Sequence, residues 1–214
     1  MITFNFSKQF KIVLLANGSF PQRAVLLSAL ENCEYLICCD GAVDKLQGAG
    51  VSRKPDIIIG DLDSVSSMSK NLFQQKIHFI ENQNSNDLEK GLAYCHQKGW
   101  DEVLILGAAG LREDHFIGNF SLLMSYGQEM NLVMATETNY FIAVRGFMEF
   151  EVPVSTPVSL FAKDPSILIT SVGLEWSLNR QGLSFLHQGI LNKTNQPIFS
   201  VFSENGATIV SVNI

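Results

Sequence analysis

Asp61 and Asp63 are two carboxylates spaced i, i+2 at the end of the run Pro55-Asp56-Ile57-Ile58-Ile59-Gly60. The three consecutive isoleucines read as a buried, parallel-type strand, and Gly60 hands the chain on to the acids. In an open α/β sheet, ligands bind in the crevice beyond the carboxyl ends of the strands. Two carboxylates held there suit Mg2+, which keeps several waters and takes further ligands from a substrate's phosphates. The same residues also read as a solvated acidic turn.

Three further motifs fall at the ends of apolar runs. Asp40-Gly41-Ala42 follows Cys38-Cys39. Gly41 permits close approach to the backbone, and Asp40 can take a ribose hydroxyl or a metal-bound water; Asp40 reads equally well as a helix N-cap. In Asn84-Ser85-Asn86-Asp87-Leu88-Glu89-Lys90, Asp87 lies near a helix N-terminus, where the dipole favours a carboxylate. From there it can add a third acid to Asp61 and Asp63. Lys90, one turn on, reads as a solvated lysine or as a contact to a phosphate. The segment Gly107-Ala108-Ala109-Gly110-Leu111-Arg112-Glu113-Asp114-His115 offers backbone N–H groups to an anion at a helix start, and Arg112 supplies a planar fork for phosphate oxygens. His115 reads as a site residue beside Asp114 or as an ordinary helix histidine. The segment lacks the GK[ST] of a P-loop.

The elements that must position these residues alternate. Residues 11–16, 35–39, 56–59, 77–80, 102–106 and 131–135 read as strands, and stretches near 21–31, 41–48, 66–75, 86–98 and 114–127 read as helices. That order predicts βαβ units and an α/β fold, a mostly parallel sheet flanked by helices. From about Phe141 apolar and polar residues alternate and prolines appear. Residues 147–151, 158–162, 167–171, 198–202 and 208–214 read as short strands of a small C-terminal antiparallel β-sandwich. The domains are therefore set at 1–140 and 141–214. The second is small for an independent core, so it is expected to pack on a partner subunit as well as on its own sheet.

Composition narrows the function. With 46% hydrophobic and 17% charged residues the chain is globular rather than disordered. A net charge of -6 argues against a nucleic-acid binder and leaves ATP open, since one nucleotide needs only a metal and a few local donors. The four cysteines form no metal-ligand spacing and fit a reducing compartment. Neither a secretory leader nor a membrane span is apparent, because the first apolar stretch, Ile12 to Ala16, gives way to Asn17-Gly18. A cytoplasmic protein is expected.

Taken together, in order and spacing, the four motifs resemble the thiamine pyrophosphokinase family. Its pattern is a DGG/DGA turn, a PD-x-x-x-GDxDS segment, a D-x-TD helix start and a G-x-x-G-x-R-x-DH turn. Asn119 matches the family's DH-x-x-x-N, and Thr170 to Leu178, with Trp176, resembles a segment of its β-domain. Asn84 and Asn86 stand where the family has Asp and Thr. Leu191 replaces the Ser of a Ser-Asn pair that helps hold thiamine, leaving Asn192.

The resemblance implies pyrophosphoryl transfer from ATP to the hydroxyl of thiamine, giving thiamine diphosphate and AMP. It implies Mg2+ on Asp61, Asp63 and Asp87, with Asn84 as a further oxygen donor. Nucleotide contacts would come from Asp40, Gly41, Lys90, Gly107, Gly110, Arg112, Asp114, His115 and Asn119. Trp176 and Asn192 would meet thiamine in a β-rich domain that also forms a homodimer, with the active site near the subunit interface. The alternatives are a related enzyme with another acceptor alcohol such as a pterin, a non-catalytic thiamine or nucleotide binder, and a nucleotide-sugar transferase using Asp61-Leu62-Asp63.

Overall fold

The structure is a computed structural model describing residues 3–82 and 84–213. In chain order the elements are β1 (Thr3–Phe4), β2 (Ile12–Leu15), α1 (Ala24–Asn32), β3 (Tyr35–Cys39), α2 (Ala42–Gly48), β4 (Ile57–Gly60), α3 (Ser67–Leu72), β5 (Ile77–Phe79), α4 (Asp87–Gln97), β6 (Glu102–Leu106) and α5 (Glu113–Tyr126). There follow β7 (Asn131–Ala135), β8 (Asn139–Glu151), β9 (Pro157–Ala162), β10 (Leu168–Val172), β11 (Asn192–Lys193) and β12 (Ile198–Asn213).

The chain divides into two compact units. Of the described residues, one holds those within 9–120 and 134–137; the other holds those within 3–8, 121–133 and 138–213. This differs from a single cut after residue 140, because β1 pairs in parallel with β8 and so groups with the C-terminal strands.

In the first unit β2 pairs with β3 on one side and β6 on the other, β3 with β4 and β4 with β5, all in parallel. Strands β2, β3, β4 and β6 are almost wholly buried, as their unbroken apolar runs require for a sheet covered on both faces. The chain steps outward from β2 to β5, and α4 then brings it back to β6 on the far side of β2. The direction of winding therefore reverses between β2 and β6, which is where such a sheet opens a crevice. Gly91 lets α4 lie close to the sheet: a Cβ there would stand 2.6 Å from Leu14 Cδ1 and 3.3 Å from Cys39 Sγ. That contact fixes Asp87 and Lys90, on the preceding turn, relative to the ends of the strands.

Apart from the parallel pair of β1 with β8, the second unit is mainly antiparallel and sandwich-like. The two predicted strands 198–202 and 208–214 form one strand, β12, and the predicted strand 147–151 is the end of the longer β8; Ile214 lies outside the described residues. β12 pairs with β8 along both halves, with a register shift between Ser203 and Thr208. Its first half also pairs with β10 and its second half with β9. Asn205 and Gly206 at φ +64° and +155°, with Gly146 of β8 at φ +69°, produce the bend. A polar Asn-Gly that reads as a turn in the sequence is therefore a bulge within a continuous strand. Phe150 and Phe199 are cross-strand partners, fully buried and stacked at 4.7 Å.

Gly91→Val should force Leu14 and Cys39 apart and cost about 1–3 kcal/mol. Denaturant unfolding checks this, and an unchanged midpoint would show that α4 is not held tightly against the sheet.

Candidate active site

The C-terminal ends of β3 and β4 bring three acids together. One carboxylate oxygen from each of Asp40, Asp61 and Asp63 lies within 4.8 Å of the others. Asp40 is 2% exposed and sits at φ +46°, a conformation that a non-glycine residue adopts at a cost of about 1–2 kcal/mol. It is not a helix cap: Gly41 occupies the N-cap position of α2. The Asp40 Oδ2 instead accepts from the Ser64 N–H at 3.1 Å, and its Oδ1 is sealed from solvent with no hydrogen-bond partner. Burial pushes the Asp40 pKa above the usual carboxylate value despite the bonds from Ser64. Ser64 Oγ donates to Asp63 Oδ1 at 2.9 Å, so one serine ties Asp40 to Asp63. A buried carboxylate with one unpartnered oxygen, clustered with two further acids, is what a divalent cation would complete, so the donor set fits Mg2+.

Asp87 joins this group through a different contact. Gly60 lies at φ +150°, and a Cβ on it would stand 2.9 Å from Asp87 Oδ1 and 3.1 Å from Asp40 Cβ. Lys90 corrects the expectation of a solvated lysine. It is 4% exposed, and its Nζ lies 2.9 Å from Asp87 Oδ1 and 3.4 Å from Asp61 Oδ2. Burial works against the ammonium, but the hydrogen bond and charge of Asp87 and the charge of Asp61 outweigh it and raise its pKa. Lys90 is thus an internal counter-ion to two of the acids rather than a residue open to a phosphate, because the backbone of α4 fixes the i, i+3 spacing to Asp87. Asn84 is exposed and is not among the residues lining the cleft.

A cleft of about 400 Å³ runs from these acids to the turn after β6. Asp40, Asp63, Asp87, Arg112, His115 and Asn119 all line it. Arg112 is exposed and grips Asp114 with Nε and Nη2 at 3.1 and 2.6 Å. That bond holds the Asp114 carboxyl down to about 2 and leaves Asp114 spent on Arg112. Asn119 is buried: its Nδ2 donates to the Ala108 carbonyl at 2.9 Å, and its Oδ1 accepts from Asn86 Nδ2 at 3.2 Å. Asn86 in turn caps α4 by accepting from the Glu89 N–H. Asn119 therefore braces the turn after β6 against the start of α4.

The sequence reading overlooked the loop after β2. Gly18 N donates to Gly107 O at 2.6 Å, Ser19 N to Ala109 O at 2.8 Å and Ser19 Oγ to Gly110 O at 2.9 Å. Gly107 and Gly110, at φ +67° and +88°, are pressed against Ala16 and Ser19. They serve this loop-to-loop fit, while Ala108 and Ala109 face the cleft. Asn17 and Gly18 line the cleft as well. The available signal was their position directly after the most central apolar run.

In the second unit Trp176 and Asn192 flank one groove, together with Leu160, Gly189 and Leu191. Asn192 spends its amide on Trp176 rather than on the groove: Oδ1 accepts from the Trp176 N–H at 3.1 Å and Nδ2 donates to its carbonyl at 2.7 Å. Trp176 remains 57% exposed.

Lys90→Met should leave Asp61 and Asp87 facing each other without their counter-ion. A drop in thermal midpoint at pH 8 is expected, shrinking at about pH 3 where carboxylates are protonated. An equal loss at both pH values would mean that Lys90 acts through packing alone.

Residues 26–134, more than half of the chain, match the family model described as thiamin pyrophosphokinase, catalytic domain. Thiamine pyrophosphokinase 1 of Oryza sativa subsp. japonica is 23% identical over 212 residues, spanning 86% of this chain and 78% of that protein. Thiamine pyrophosphokinase 3 of the same plant is 28% identical over 213 residues, with the same coverage. Among solved structures, thiamin pyrophosphokinase from Candida albicans superposes with a TM-score of 0.76 at 17% identity, over 100% of this chain and 95% of that one. The enzyme from Bacillus subtilis gives 0.73 at 20% identity, over 94% and 98%. A chain whose acids, arginine turn and fold coincide with this match belongs to the thiamin pyrophosphokinase family.

Proposed function

We propose that this chain transfers the pyrophosphoryl group of ATP to the primary hydroxyl of thiamine, releasing AMP. The observation that carries the reading is the cluster of Asp40, Asp61 and Asp63, two of which, Asp40 and Asp63, line a cleft that Arg112 also lines. Bound Mg2+ would neutralise charge on the polyphosphate while the hydroxyl attacks the β-phosphorus. Asp61 and Asp63 hold the cation, with Asp40 as the added acid. Asp87, tied to Lys90, closes the group from the α4 side. Arg112 exchanges Asp114 for phosphate oxygens, a favourable trade for a guanidinium that is already solvent-exposed. His115 lines the same cleft next to Asp114, and Asn119 holds Ala108 in place. The chain itself has positioning and charge neutralisation to do and little covalent chemistry.

The thiamine end is assigned to the groove beside Trp176, and the surface around it to a homodimer. Trp176, Phe185, Leu186, Ile190 and Leu191 are all exposed, and this apolar surface supports that assignment. Four buried, unbridged cysteines, whose thiols burial makes harder to ionise, Cys95 up to about 12, support a cytoplasmic setting. No helix among the described residues is long and apolar enough to cross a membrane.

AMP release from ATP and Mg2+, measured with and without thiamine and paired with mass detection of thiamine diphosphate, tests the assignment. Thiamine-dependent AMP is expected, and Asp63→Ala should abolish it with the fold intact; turnover near wild type in that variant would sink the metal assignment. Sedimentation equilibrium should give a dimer, and a stable monomer at micromolar concentration would remove the interface from the reading.

A further inference from the structure

We infer that Asn17 is an outer-sphere ligand of the divalent cation, its Oδ1 accepting a hydrogen bond from a cation-bound water. The inference rests on the cation reading of Asp40, Asp61 and Asp63.

Asn17 stands just past the carboxyl end of β2, where the winding of the sheet reverses. Its backbone is fixed from two directions. Lys45 Nζ donates to the carbonyls of Asn17 and Gly18 at 2.6 and 2.7 Å, and the Gly18 N–H is held by Gly107. Yet the side chain so carefully placed has an Oδ1 sealed from solvent with no partner in the protein. Leaving a buried acceptor unmatched costs about 1–3 kcal/mol, so its partner is sought outside the chain.

The surroundings say what kind of partner fits. A Cβ on Gly41 would lie 2.7 Å from Asn17 Nδ2 and 3.0 Å from the Ser64 carbonyl. Ser64 is the residue that binds both Asp40 and Asp63, so the Asn17 amide packs against the same glycine as the residue that holds two of the acids. Asp40 Oδ1, the other orphan of this cleft, is likewise an acceptor. Phosphate oxygens also only accept and cannot satisfy either atom. Water polarised by a cation donates strongly, and Mg2+ keeps several such waters. Partners of this kind are typically worth tenfold to a hundredfold in metal affinity.

The test titrates Mn2+ into the nucleotide-free wild type, Asn17→Ala and Asn17→Asp, reading bound metal from the loss of the free-ion electron paramagnetic resonance signal. The alanine variant should bind Mn2+ about tenfold more weakly, with its cation-free thermal midpoint no lower than wild type. The aspartate variant keeps the acceptor, adds a charge and should bind more tightly; it decides the matter if the alanine variant does not fold. Wild-type Mn2+ affinity in the variants overturns the inference. If Asn17→Ala binds Mn2+ normally but raises the KM for ATP, the residue serves a nucleotide hydroxyl and the inference fails alone. A wild type that takes no Mn2+ removes the cation reading and the inference together.

Discussion

Mutual repulsion among carboxylates is the constraint on which this site depends. Asp40, Asp61, Asp63 and Asp87 are drawn together by the ends of two adjacent strands and the first turn of α4. Two like charges about 4 Å apart repel by roughly 4 kcal/mol at an effective dielectric of 20. The chain meets this with a single buried ammonium. Lys90 bonds Asp87 and approaches Asp61, leaving Asp40 and Asp63 to be offset from outside. Ser64 keeps those two in place by donating to each. What remains is an excess of negative charge with one oxygen sealed and unmatched, a site poised for a cation rather than self-satisfied.

Holding acids this close requires backbone approaches that side chains would block. Gly60 gives way to Asp87, Gly41 to Asn17 and Ser64, and Gly91 to the sheet beneath α4. Asp40 and Leu62, both at positive φ, bear a local strain of about 1–2 kcal/mol each. The buried parallel strands offset that strain, since a fully buried Leu or Ile contributes about 1.5–3 kcal/mol and these strands hold many. Core and site are therefore linked energetically: a sheet with thinner burial could not hold Asp40 in this turn.

Much of this was legible in the sequence because it rests on local pattern. The strands at 35–39, 102–106 and 131–135 follow from contiguous apolar runs bounded by polar residues, and Asp61 and Asp63 announce themselves at the end of another. Lys90 was not legible. Its i, i+3 relation to Asp87 is visible, but its burial depends on α4 crossing back over the sheet, which Gly91 permits. Asn17 was missed for a similar reason, since nothing in Ala16-Asn17-Gly18-Ser19 marks it apart from its place after the central strand. β12 reads as two strands, 198–202 and 208–214, because the polar residues between them interrupt the apolar pattern while the chain keeps its pairing with β8 on either side. The pairing of β1 with β8 joins residues far apart in sequence, and periodicity carries no information about that.

The groove in the second unit answers a different physical problem with a related device. Leu191 is 82% exposed and sits at φ +63°, an unfavourable conformation for a leucine with no burial to offset it. Asn192, next in the chain, clamps both polar backbone groups of Trp176 and leaves that indole more than half exposed. Leu191 thus adds apolar surface to the groove that Trp176 already leaves open. Near the acids the unmatched element is charge; here it is apolar area, and Asn192, with its amide spent on the Trp176 backbone, fixes where that area lies.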